Sequence, residues 1–315
     1  MYSRYAGGVD NSPAAPSLGT WTPVADNVWT MRCEPEGVNI GLVAGTNEVL
    51  VIDTGSSPEQ GRAIAASVEE LLGRGVDHVV ITHADYDHFF GLAGFGEVTS
   101  HAHESLETAL ESQQVRADAK RLGLDVADLA VPNRTLSLVR ALDLGEMRVE
   151  ILHFGPAHTQ GDLLVSVPQH RVLFTGDLVE TSGDPQFSDA SSIESWPAAL
   201  DGVLGGANDE TVYVPGHGPV TNRMGVFETR ANVSMLFGAG EQLVRRGVRL
   251  ETALAALDAP VDAEGNVHPG ASEWEWPFST ETIRAALPKV YAELAGHGLT
   301  PKTQLPLLGG IGRMD

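Results

Sequence analysis

The chain reads as an α/β protein, and three observations predict it. Val49-Leu50-Val51-Ile52 and Val76–Thr82 are strand-like runs of the kind that is buried on both faces. Residues 58–73 between them carry Ile64, Val68, Leu71 and Leu72 on one helical face, with Pro58 near the start. The second strand then runs straight into Thr82-His83-Ala84-Asp85-Tyr86-Asp87-His88, which places four potential metal ligands within six residues. A loop leaving a buried strand is a rigid perch, and function concentrates on such loops.

The remaining elements follow in order. Residues 1–20 are rich in Gly, Pro, Ala and Ser without a long apolar core, so they read as a flexible tail and not as a secretory signal. Residues 21–55 read as short strands ending at Asp53-Thr54-Gly55. Residues 103–129 are polar and helical, a surface excursion beside the ligand cluster. Strand character returns at 146–154 and 162–175, with a tight turn at Pro168-Gln169-His170-Arg171, and again at Thr211–Val214. From about 226 the texture is helical: 226–246 closed by Gly247, then Leu250–Leu257. A last helix, capped by Ser279 or Thr280, runs to about 294, and Pro288 is expected to bend or shorten it. Residues 298–315 read as a trailing segment.

Composition narrows the function classes. The 315 residues are 42% hydrophobic, enough for a sizeable core, and no apolar run approaches the ~20 residues that span a bilayer. A formal net charge of -22 repels phosphate backbones, which argues against nucleic acid and leaves a small-molecule substrate as the expected partner. Cys33 is the lone cysteine, so intrachain disulfides and cysteine-type zinc clusters are excluded, and a cytoplasmic location fits. Oligomeric state is left open, a homo-oligomer included.

Three further ligand candidates lie in strand-then-turn settings: His158 in Gly155-Pro156-Ala157-His158-Thr159, Asp177 in Phe174-Thr175-Gly176-Asp177, and His217 in Val214-Pro215-Gly216-His217-Gly218. Histidine and aspartate together suit two divalent cations, and two close cations activate a water between them. The other histidines have plainer readings. His78, His170 and His297 fall at surface or turn positions, His153 reads as packed, and His101 and His103 flank a strand end near the site. Trp274-Glu275-Trp276-Pro277-Phe278 reads either as a wall of the cleft or as an anchor for the C-terminal helices.

With those segments in order, the chain resembles the metallo-β-lactamase superfamily, whose signature is His-x-His-x-Asp-His after a strand, then a distant His, Asp and His. The resemblance covers roughly residues 21–225 and implies a four-layer αββα sandwich, with residues 226–315 as a C-terminal helical extension packed on the core. It implies that His83, Asp85 and His158 hold one divalent metal ion, that Asp87, His88 and His217 hold a second, and that Asp177 bridges them, with Asp53 bracing the loop. The family's second histidine is Asp85 here. A third carboxylate makes the metal surroundings neutral instead of positive, which makes bound water harder to deprotonate and shifts preference from zinc toward manganese or iron.

The resemblance implies a metal-dependent hydrolase in which a metal-bound hydroxide attacks the carbonyl of an ester, lactone, thioester or β-lactam-like substrate. Asp87 binds a metal and also serves as the catalytic residue that orients the nucleophile or accepts its proton. Zinc is the first expectation for the two ions. Two other readings follow from Asp85: a di-iron redox enzyme acting on oxygen or a sulfur substrate, and a non-catalytic binding protein.

Overall fold

The computed structural model describes residues 16–261 and 264–302. Its order is β1 (Ser17–Leu18), β2 (Thr22–Ala25), β3 (Val28–Glu34), β4 (Val38–Ala44), β5 (Val49–Ile52), α1 (Pro58–Leu72), β6 (His78–Val80), α2 (Tyr86–Phe89), β7 (Thr99–His103), α3 (Leu106–Leu110), α4 (Gln113–Arg121) and β8 (Arg134–Leu136). Then come β9 (Val139–Asp143), β10 (Arg148–Leu152), β11 (Leu164–Val167), β12 (Val172–Gly176), α5 (Trp196–Gly205), β13 (Val212–Pro215), α6 (Arg223–Arg245), α7 (Leu250–Asp258) and α8 (Thr280–Gly296).

The strands form two sheets. One has the order β1-β3-β4-β5-β6-β7-β8, with β2 also on β3, and the other the order β13-β12-β11-β10-β9. The period of two along each strand sorts the core into three apolar layers. Leu50, Ile52, Val80, Val165, Phe174 and Val214 meet between the sheets. Their neighbours Val49, Val51 and Val79 face Ile64 and Val68 of α1. On the far side Leu164, Leu173 and Tyr213 pack under Trp196, Leu236 and Leu287 from α5, α6 and α8. Two sheets with helices on both outer faces make the αββα sandwich, and α6 to α8 extend its second helical layer.

Local chemistry explains the element ends. Ser57 caps α1 by accepting from the Gln60 amide, Pro58 opens it, and Gly73 closes it at φ 69°. Arg171 takes a left-handed φ of 53° to turn β11 into β12. Both sheets send the ends of β5, β6, β12 and β13 to one edge, where the ligand-bearing loops begin.

Three expectations are corrected. Ser17 and Leu18 pair with Glu34 and Cys33, so the end of the expected tail is an edge strand; residues 1–15 lie outside the described residues, as do 303–315 of the trailing segment. Pro288 lies inside α8 without ending it, because Leu287, Val290, Tyr291 and Leu294 beyond and beside it are buried against α6 and α7. His78 is not a surface residue: it starts β6, with Nδ1 3.3 Å from His101 Nε2 and Nε2 3.0 Å from Glu48.

Candidate metal centre

The site is built outward from Asp53, which ends β5 with φ 64°. A non-glycine residue in that region stores about 1–3 kcal/mol of strain, held here by the bonds its carboxylate accepts. The Thr82 amide donates to Oδ1 at 2.7 Å, and the Thr82 hydroxyl donates to Oδ2 at 2.8 Å. His88 Nδ1 lies 2.8 Å from the same Oδ2. Because the Thr82 hydroxyl has one proton and gives it to Asp53, His83 Nδ1, 2.9 Å away, must be the donor to Thr82 Oγ1. That assigns the tautomer and leaves His83 Nε2 as an unprotonated nitrogen facing inward.

The same polarity recurs around the centre. His158 Nδ1 is backed by the Gln186 carbonyl at 3.2 Å, and His217 Nδ1 by the Glu36 carbonyl at 3.1 Å. A carbonyl only accepts, so both Nδ1 atoms carry the proton and both Nε2 atoms point into the cluster. His217 is positioned from the other sheet. The Asn39 amide side chain donates to the carbonyls of Pro215 and Gly218, and its main-chain N–H to Gly216. Gly216 is required there, since a Cβ would fall on Asp177 Oδ1.

The inward atoms converge on Asp177. Its Oδ1 lies 3.3 Å from His88 Nε2, and its Oδ2 lies 3.6 Å from His217 Nε2 and 3.8 Å from both His83 and His158 Nε2. Asp85 Oδ2 is 3.2 Å from His158 Nε2 and 3.7 Å from His83 Nε2. Asp87 Oδ2 is 3.2 Å from His217 Nε2 and 3.8 Å from His88 Nε2. His83–Asp85–His158 and Asp87–His88–His217 each gather their donor atoms within 4.8 Å, and His83–His88–Asp177 links them. All seven sequence-predicted residues are thus brought to one place.

The donor set fits a pair of divalent cations. His83 Nε2 and Asp177 Oδ1 are buried without a hydrogen-bond partner, and His88 Nε2 and His217 Nε2 face each other at 3.3 Å. Orphaned polar atoms beside inward-facing imidazoles are costly unless something positive lies among them. Zinc suits the imidazoles, and the carboxylates also admit manganese or iron.

The electrostatics point the same way. Burial and the neighbouring His88 lower His83 to about 4. Burial also resists charge on His88, but Asp177, Asp87 and Asp53 surround it and raise it well above the usual imidazole range. His158 is lifted to about 10, its hydrogen bond to Asp85 and nearby carboxylates outweighing burial. Asp177, although buried, is held well below the usual carboxylate range by His88 and His83. Protons on imidazoles here do the work that metal charge does in a loaded site.

Several contributors escaped the sequence reading. Thr82 and Asn39 look ordinary in sequence, and only the fold brings them to Asp53 and to the His217 loop. Asp162, raised to about 6 chiefly by burial, holds the His158 loop by accepting from the Thr159 amide and hydroxyl. Glu180, three residues beyond Asp177, is raised by burial and by Asp177 itself; its spacing was visible, but no motif marks it. His101 and His103 stay outside the cluster: His101 bonds to His78 and Arg140, and His103 stacks on His153 at 4.2 Å. Phe278 contacts Phe187, which contacts Trp196, whose ring lies 5.7 Å from His158. Trp276 and Phe278 pack on the second helical layer, as an anchor does, while Trp274 is exposed.

Comparison with known proteins agrees with this geometry. The family model described as the metallo-beta-lactamase superfamily matches residues 33–230. A metallo-beta-lactamase type 2 from Bacillus cereus is 29% identical over 186 residues, covering 58% of this chain and 68% of the relative. An acyl-coenzyme A thioesterase, MBLAC2, from Gallus gallus is 31% identical over 161 residues, covering 45% of this chain and 57% of the relative. The solved structure of a metallo-beta-lactamase from Pontibacter korlensis superposes with TM-score 0.58 at 21% identity, covering 69% of this chain and 99% of that one.

Proposed function

Because the chain belongs to the metallo-β-lactamase superfamily, and is a metal-dependent hydrolase of that fold, we propose roles for its individual residues. His83, Asp85 and His158 hold one divalent cation; Asp87, His88 and His217 hold the other; Asp177 joins them. When bound, the two cations supply an acidified water as nucleophile and a Lewis acid for the oxygen of the bond under attack. Asp87, buried and 3.2 Å from His217 Nε2, orients that water and accepts its proton. Thr82 and Asp53 keep His83 and His88 in the tautomers that present Nε2. Residues 21–225 form the catalytic unit, and the described residues from 226 to 302 cover one side of it.

The substrate class is a carbonyl compound: an ester, lactone, thioester or β-lactam-like amide. The relatives' names, a β-lactamase and an acyl-coenzyme A thioesterase, support that breadth. Among the described residues no helix is long and apolar enough to cross a membrane. We place the enzyme in the cytoplasm, in keeping with a single, buried cysteine.

The observation that carries this reading is the set of four histidines, each held from behind at Nδ1 and turned inward at Nε2. Elemental analysis of protein purified without added metal tests it, followed by turnover of an ester, lactone and thioester panel. Two equivalents of zinc or manganese with turnover of any of these is the expected result. Protein that takes up no metal even after reconstitution sinks it. Asp85, a carboxylate 3.2 Å from His158 Nε2, favours one second reading, a di-iron redox enzyme, which two equivalents of iron and no hydrolysis would bring forward.

A further inference from the structure

His158 is held from behind by a long connection, the one that leads from β12 to α5. The Gln186 carbonyl that takes its Nδ1 proton lies on a stretch of that connection where Gln186, Ser188, Asp189 and Ala190 are all exposed. The connection is bonded closely to the His158 loop. The Ser195 hydroxyl donates to the Pro156 carbonyl at 2.6 Å, the Ser192 amide to the Ala157 carbonyl at 2.7 Å, and the Ser191 hydroxyl to the His158 carbonyl at 2.8 Å. Gln160 returns a bond to the Ala190 carbonyl at 2.7 Å. The two loops are tied together, so the place of His158 depends on what anchors the connection.

Its anchor is α8, in the C-terminal extension. Ile283, Leu287, Val290 and Leu294 bury one face of that helix in the second helical layer. Thr282, Lys289, Glu293 and His297 follow at intervals of seven, four and four residues, which puts them on one stripe of the helix. All four reach the connection. The Thr282 hydroxyl donates to Asp184 Oδ2 at 2.9 Å, beside the Ser279 amide at 2.8 Å. Lys289 Nζ donates to the Asp189 carbonyl at 2.7 Å. Asp184 and Asp189 stand on either side of Gln186. His297 Nε2 lies 2.7 Å from Glu194 Oε2.

Glu293 makes the strongest of these contacts. Its Oε1 accepts from the Ile193 amide at 3.0 Å, and its Oε2 from the Glu194 amide at 2.9 Å. The Ser192 carbonyl already accepts from the Trp196 amide at 3.0 Å, as in a helix, so Ile193 and Glu194 offer first-turn amides that the helix itself leaves free. A carboxylate across both makes two charge-assisted bonds at the positive end of α5. Ser192 and Ser195 of the same turn hold the carbonyls of Ala157 and Pro156. We infer that Glu293 is a positioning residue for the metal held by His83, Asp85 and His158, so that α8 sets the affinity of that half of the centre through the connection. This deepens the hydrolase reading and rests on its two-metal centre. Direct partners of a metal ligand are typically worth 10–100-fold in metal affinity, and Glu293 acts further out, so a loss of about three- to tenfold is expected without it.

The test is equilibrium titration of zinc against a fluorescent chelator, on metal-free wild type, Glu293→Ala, Glu293→Gln, Asp184→Ala and Arg284→Ala. Thermal unfolding is measured on the same samples. Arg284 is the control, because it bonds Asp258 and the Leu254 carbonyl of α7 and so loosens α8 away from the connection. Glu293→Ala should weaken one zinc constant about three- to tenfold and leave the other unchanged. Asp184→Ala should weaken the same constant, Glu293→Gln, which keeps one acceptor, should weaken it less, and Arg284→Ala should move neither. Adding Glu293→Ala to Asp85→Ala should have no effect on the constant that remains. Unchanged constants in both Glu293→Ala and Asp184→Ala, an equal loss at both sites, or the same loss in Arg284→Ala overturns the inference and leaves the two-metal reading standing. Wild type that binds no zinc removes that reading, and the inference with it.

Discussion

The two triads meet at Asp177 but are held in different ways. Asp87, His88 and His217 are all buried, His88 completely. His88 is locked by Asp53, whose own carboxylate is held by Thr82, and the loop carrying His217 is clamped by Asn39 from β4. In the other triad, Asp85 leaves 44% of its side chain exposed, and it makes no capping bond at the start of α2. His158 is backed by a main-chain carbonyl at 3.2 Å. One half is pre-organised by a direct charge-assisted bond within the sandwich; the other shares that brace only through Thr82 at His83, while its Asp85 and His158 sit on loops at the rim. Pre-organisation cuts the ordering cost of binding, so the braced triad should take up metal first and release it last.

The largest effect comes from removing the brace. Asp53→Ala leaves every ligand in place but frees His88 and Thr82, and partners of this kind are typically worth 10–100-fold in metal affinity. Equilibrium titration against a fluorescent chelator should show the tighter of the two constants weakened by that factor in Asp53→Ala. Asp85→Ala should instead abolish the weaker constant and leave the tighter one unchanged. Asp85→His, supplying a nitrogen ligand, should bring the weaker constant toward the tighter. Equal weakening of both constants in Asp53→Ala would show that the halves are not separately held.

Acidity sharpens the contrast. Without metal, the carboxylates around His88 raise it well above the usual imidazole range and those around His217 raise it too, so a cation entering the braced triad must displace the His88 proton. In the open triad His158, lifted to about 10, holds a proton at neutral pH, but His83, lowered to about 4, holds none above that value. For an imidazole whose pKa exceeds the working pH, each unit of acidification costs about tenfold in metal affinity. Affinity at both triads therefore rises with pH. Calorimetry in buffers of different ionisation enthalpy near pH 7 should count protons released with each of the two equivalents of zinc. Zinc uptake without proton release at either equivalent would break the assignment.

How much of this was legible in the sequence depends on the range of the contacts. The seven candidate ligands lie on loops that follow strands, so local pattern and motif spacing pick out residues that the fold gathers into one cluster. Their brace was only half legible: Asp53 stood out beside Gly55, but Thr82, Asn39 and the carbonyls of Glu36 and Gln186 act across gaps set by sheet order. Asn39 reaches a carbonyl 179 residues away, and no local pattern encodes that pairing. His78 was misread for the same reason, because its partners His101 and Glu48 come from neighbouring strands. Pro288 does not shorten α8, because the tertiary packing of that helix outweighs local propensity.

The smallest effect tests whether the helical extension reaches the open half at all. Trp196 is fully buried, donates from Nε1 to the Leu178 carbonyl, and sets its ring 5.7 Å from His158. Its other face meets Phe187, and through it Phe278 just before α8. Trp196→Phe keeps an aromatic ring but removes the indole donor and leaves a small void, which costs about 1–3 kcal/mol of stability. The His158 ring loses part of its packing, so the weaker metal constant should fall about two- to threefold in the folded variant. The braced triad touches none of these rings in a comparable way, so the tighter constant should be unmoved. Thermal unfolding and the chelator titration on the same samples separate the two readouts. A drop in stability with both metal constants unchanged would mean that the extension is carried by the sandwich without positioning His158.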